Sequence, residues 1–83
     1  AERDLHWPQA VVLDRRTRMM HDAHHIFING ESFKAGGRDA QVLRRLSNDR
    51  RLDARAVSQL STQALALLAD WCDDGWMHPD EAA

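Results

Sequence analysis

The sequence predicts a small α+β domain, with three helices packed on a small antiparallel sheet that includes an N-terminal β-hairpin. Three observations lead there. Asn29-Gly30 sits between two runs of alternating residues. Two later segments carry apolar residues at helical spacing: Ala40, Leu43 and Leu46, then Ala64, Leu67, Leu68 and Trp71. The chain has 83 residues, 43% of them apolar and 29% charged, which suits one globular domain rather than a disordered tail.

Residues 1–10, "AERDLHWPQA", show no periodicity and are expected to form a linker or tail from which Trp7 docks on the body. The folded domain is expected over residues 11–79, with 80–83 as a C-terminal tail. "VVLD" has the pattern of a short strand, Asp14-Arg15-Arg16 of a turn, and "TRMMH" at 17–21 of a second strand. Asp22-Ala23 then turns the chain into "HHIFINGESFKAGG". A type I′ turn needs positive φ at both central residues, and Asn-Gly meets that need best. A two-residue loop fixes the register: Ile28 faces Glu31, Phe27 faces Ser32, Ile26 faces Phe33 and His25 faces Lys34. Ile26, Ile28, Phe33 and Ala35 then share a core face, and His25, Phe27, Ser32 and Lys34 share a wetter one.

Residues 38–49 form the first predicted helix, with Val42 widening its apolar stripe and Asn48-Asp49 as stop residues. "RRL" at 50–52 is a short extended connector or strand. Asp53 is a suitable N-cap for a second helix over 54–60, and Ser61 or Thr62 for a third over 62–74. About two residues separate these helices, and Gly75 stands where a left-handed residue ends the third. "WMH" at 76–78 is a last strand, stopped by Pro79. Three helices and a small sheet are the parts of a winged-helix domain, although the main hairpin precedes the helices here instead of following them.

The longest unbroken apolar run, residues 64–69, falls far short of the ~18 residues of a membrane span. No basic, apolar, small-residue order of a signal peptide opens the chain. Cys72 is the one cysteine, so no intrachain disulfide forms and a cytoplasmic location is expected. Its neighbours Leu68, Trp71 and Trp76 make it a small buried apolar residue.

Catalysis finds little support. His21, His24 and His25 lie within five residues, but His24 and His25 alternate across a strand and cannot share one metal ion without a bulge. His78-Pro79-Asp80 matches the His-x-Asp half of an iron facial triad, yet no residue after Asp80 could serve as the distal histidine. "AGGRDA" lacks the spacing and the Lys-Ser/Thr of a phosphate loop. No catalytic, cofactor-binding or metal residue is assigned.

Charge argues against DNA reading. All eleven Arg and Lys lie between Arg3 and Arg55, whereas five acids and no base follow position 55. The third helix therefore carries Asp70, Asp73 and Asp74 and no cation, and it would repel phosphate. A modest basic patch at Arg44, Arg45, Arg50 and Arg51 is the alternative nucleic-acid surface, with RNA left open as its ligand.

The pieces "FINGESF" at 27–33, "AGGRDA" at 35–40, "LRRLSNDRRLD" at 43–53 and "LLADWCDDGWMHP" at 67–79, in this order and spacing, resemble a known family. They look like the C-terminal winged-helix domain of bacterial cupin-4, or JmjC-type, ribosomal oxygenases. The resemblance covers roughly residues 15–79. It implies a parent enzyme with an Fe(II)- and 2-oxoglutarate-dependent barrel, a helical dimerisation segment and a ribosomal-protein arginine as substrate. This chain would be its non-catalytic accessory domain, not an enzyme by itself. Its expected partners are the rest of the oxygenase, as a homodimer, and the ribosomal protein, with no membrane. Trp7, His25, Phe27 and Lys34 are the expected interaction surface.

Overall fold

A computed structural model describes residues 8–80. In chain order the elements are β1 (Val11–Leu13), β2 (Met19–His21), β3 (His25–Ile28), β4 (Glu31–Lys34), α1 (Gly37–Asp49), β5 (Arg51–Leu52), α2 (Ala54–Val57), α3 (Thr62–Asp73) and β6 (Met77–Pro79). The α+β class is as expected, with three helices and antiparallel pairing. The strands divide into two three-stranded sheets, ordered β5-β1-β6 and β2-β3-β4, where one small sheet was expected. The division follows from β1 pairing with the two distant strands β5 and β6 and leaving β2 to the hairpin.

The hairpin has the register that the turn dictates, from Ile28↔Glu31 to His25↔Lys34. Asn29 and Gly30 both take positive φ, 48° and 87°, as the tight turn requires. Ile26 and Ile28 are fully buried, and Phe33 and Ala35 pack half-buried against the same core. Ala40, Val42, Leu43 and Leu46 of α1 face them, and α3 closes the core with Ala64, Leu68, Trp71 and Cys72. Phe33 meets the Trp71 ring edge-on, with centroids 5.8 Å apart.

Each helix end has a local cause. Asp53 accepts a hydrogen bond from the Ala56 amide and starts α2. Ser61 caps α3 by accepting from the Ala64 amide, and Asp39 of α1 accepts from both the amide and the hydroxyl of Ser61. This clasp holds the start of α3 against α1. Helix α2 is shorter than expected and is followed by the four-residue stretch 58–61, because the Leu60 amide bonds back to the Val57 carbonyl in a tight turn. Gly75, at φ 79°, turns the chain out of α3. Pro79 closes β6 from within, paired with Val11, instead of stopping the strand before it. The Asp80 amide donates to the Ala10 carbonyl, so the Pro79 nitrogen points off the ladder, where no donor is needed.

α1 ends at Asp49, where the sequence places its end, but Arg50 departs from the extended backbone expected of it and stops the helix in the left-handed region at φ 64°. Its Nη2 donates to the carbonyls of Asp14 (3.0 Å) and Thr17 (2.8 Å). The Leu13 amide donates to the Arg50 carbonyl, and the Asp14 amide to that of Trp76. Thr17, the one buried polar residue among those described, sends its hydroxyl to the same Trp76 carbonyl at 2.8 Å. One junction thus joins β1, the start of β2, the end of α1 and the approach to β6. Asp14 supports it from the side, with Oδ2 2.9 Å from His78 Nε2 and Oδ1 accepting from the Arg16 amide at 2.9 Å. The His78 contact and then the Arg16 amide hold the Asp14 carboxyl well below the usual carboxylate range.

This junction can be tested at two of its members. Arg50→Gly suits the left-handed backbone yet removes the guanidinium, and should cost roughly 1–2 kcal/mol in urea unfolding. Arg45→Ala, on an exposed position of the same helix, should stay within about 0.5 kcal/mol. An Arg50→Gly variant as stable as the parent would refute the role. For Asp14, a folded pKa below the ordinary 3.8 means stabilisation that is present above that value and lost as pH falls through the folded one. Urea midpoints of Asp14→Asn should therefore trail those of the parent at neutral pH, with a gap that starts to narrow below about pH 4 and shrinks further as the pH falls.

Candidate interaction surface

The outer face of the β2-β3-β4 sheet collects side chains that the core does not use. In β3, Ile26 and Ile28 point inward, so His25 and Phe27 point outward. The same alternation sends Met19 inward, where it is buried, and leaves Met20 outward and 67% exposed. Met20 pairs with Phe27 across the ladder, and Lys34 lies opposite His25. The His25 and Phe27 rings stack, 5.9 Å between centroids at 29°. Next to them, Arg16, Arg18, Met20, Phe27, Asn29 and Gly30 line a shallow depression with an apolar floor.

Local chemistry fixes this face. Asp22 Oδ1 accepts from the amides of His24 (2.8 Å) and His25 (2.7 Å) and lies 3.3 Å from His25 Nδ1. The His24 amide, together with the His25 contacts, draws the Asp22 carboxyl below its ordinary pKa. At the other end Asn29 spans the β2–β3 gap: its Oδ1 accepts from the Arg18 amide and its own amide donates to the Arg18 carbonyl, both at 2.9 Å. Both ends of the Met20–Phe27 row are held by side chain–backbone bonds.

His25, Phe27 and Lys34 thus share one face, while Trp7 lies outside the described residues. Met20 was not among the expected surface residues, although the strand pattern of "TRMMH" carried the signal: one of two adjacent methionines must face out. The four arginines of the expected basic patch separate. Arg45 and Arg51 are exposed, Arg44 is half-buried, and Arg50 spends its guanidinium on the Asp14–Thr17 loop. Arg51 Nε lies 3.8 Å from Asp80.

The described residues do not fit an iron centre. Among them no three His, Cys, Asp or Glu side chains converge as a metal would require. His21 faces Asn48, His25 faces Asp22, and His78 faces Asp14. No catalytic step is assigned to this domain.

Exposure gives a direct check on this face. Met20→Ser should change stability by no more than about 0.5 kcal/mol in urea unfolding, since Met20 is 67% exposed. Ile28→Ala, one strand over and fully buried, should cost about 2–5 kcal/mol. A comparable loss at Met20 would place it in the core and remove it from the surface.

A family model described as a ROXA-like winged helix matches residues 3–78. No curated protein and no solved structure matches the chain. With the match running through both sheets and all three helices, the chain belongs to the ROXA-like winged-helix family.

Proposed function

We propose that this chain is the non-catalytic accessory domain of a ROXA-type oxygenase, and that the outer face of β2-β3-β4 docks it onto the rest of that enzyme. The observation that carries this reading is the outward-facing Met20–Phe27 pair, an exposed methionine beside a half-buried phenylalanine, on a domain of that family. Apolar side chains held outward on a rigid sheet are better suited to covering by protein than to permanent hydration. His25 and Lys34 supply a polar rim. In this reading Fe(II) and 2-oxoglutarate belong to the barrel of the parent, which acts on a ribosomal protein as a cytoplasmic homodimer. No helix of the described residues is long and apolar enough to cross a membrane.

The nucleic-acid reading through the α1 arginines is weaker. One of the four guanidiniums is held by the chain's own carbonyls, and α3 offers no cation to a phosphate backbone.

The test uses the full-length oxygenase carrying Met20→Ser and Lys34→Glu together. Dimer dissociation should become measurable by sedimentation at working concentration, or turnover of the ribosomal protein should fall by about tenfold. An unchanged oligomer with unchanged turnover would refute the docking role.

A further inference from the structure

The hairpin sheet has one uncovered edge. β4 is an outer strand, bonded to β3 alone. In this two-residue hairpin, bonded pairs alternate from Ile28–Glu31 to Ile26–Phe33, and the Ala35 amide then donates to the His24 carbonyl at 3.1 Å. The backbone N–H and C=O of Ser32 and Lys34 therefore point away from β3, and among the described residues they have no backbone partner. The opposite edge of the sheet is treated differently. There α1 covers β2, with Ser47 Oγ donating to the Met19 carbonyl at 3.2 Å and Asn48 beside His21.

A groove runs alongside the open edge, with α3 as its far wall. Half-buried Leu67 lies at its middle and lines both of its halves. One half is formed by Phe33 and Trp76 under a rim of Glu31, Asp70 and Asp74, and no Lys or Arg of the described residues lines it. Ala35, Ala66 and Gln63 line the other half, with Lys34 and Asp39 also at its wall, so the acidic half is the one suited to a cation.

We propose that this groove binds an extended basic segment of a partner protein, which adds to β4 as a further strand. The free Ser32 and Lys34 groups supply main-chain hydrogen bonds, and strand alternation sends every second ligand side chain into the groove. An apolar side chain beside Phe33 is covered by Leu67. Two residues along, beside Glu31, an Arg or Lys reaches Asp70 and Asp74 with the Trp76 ring in range of its cation. The same carboxylates disfavour RNA. The groove lies on the α3 side of β4, away from the Met20–Phe27 row, so each proposal can fail without the other.

The test is an amide NMR titration of the 83-residue chain with a short synthetic peptide of threonines, carrying an arginine and a valine two positions apart. A control peptide has glutamate for the arginine, and oligouridylate RNA is a second control. Shifts are expected at Ser32, Phe33, Lys34 and the Trp76 indole, with roughly tenfold weaker binding for the glutamate peptide. Asp70→Arg, on an exposed helical position, should weaken the arginine peptide by a similar factor. Ser32→Pro removes an N–H that points off the existing ladder, so the hairpin persists while binding is lost. Equal affinity for the two peptides, indifference to both substitutions, absence of binding, or RNA shifting the same residues would each overturn the proposal.

Discussion

The two Arg50 hydrogen bonds hold this fold together at its least regular point. α1 must stop, turn through a left-handed residue and feed β5 at the same place where β1 hands the chain to β2. A glycine would serve the backbone there with less strain. Arginine is used instead, and its side chain closes the Asp14–Thr17 loop that crosses between the two sheets. Through the Leu13 amide and the Trp76 carbonyl the same knot fixes where β6 can lie. The core then needs no long connection: each sheet presents one apolar face, and α1 and α3 fill the space between with Leu46, Leu68 and Trp71.

Local rules made much of this legible in the sequence. Asn29-Gly30 dictated a register that the hairpin follows pair by pair, and the caps at Asp53 and Ser61 stand where short polar residues precede apolar runs. What escaped was long-range. The pairing of β1 with Leu52 and Met77 joins residues far apart in the chain, so the second sheet has no local signature. Arg50 looked like one more surface cation because its acceptors, two backbone carbonyls, have no side-chain code. Pro79 looked like a terminator because its role depends on which side of the ladder its nitrogen faces. On the candidate surface, His25, Phe27 and Lys34 could be placed together from register alone, while Met20 required knowing that β2 pairs with β3.

Charge distributes the possible work over the surface. The helix that a DNA-reading winged helix would insert is acidic here, and its carboxylates border a groove instead of a phosphate. Cations gather around α1 and the outer side of the hairpin, where they flank apolar side chains. The outer face of the hairpin sheet and the groove beside its β4 edge thus differ in charge, the first flanked by arginines and the second by carboxylates.

Pairing of Val11 with Pro79 and of the Asp80 amide with the Ala10 carbonyl has a topological consequence. The polypeptide enters and leaves this unit through one doorway, as two antiparallel strands side by side. Whatever sequence lies on either side, the unit can hang from a neighbour like a pendant, without a strand threading through its body. A covalent bridge between the two strands at that doorway would close a loop of negligible span, so the unit could be reopened elsewhere, at the Asn29-Gly30 turn for example, and keep its packing.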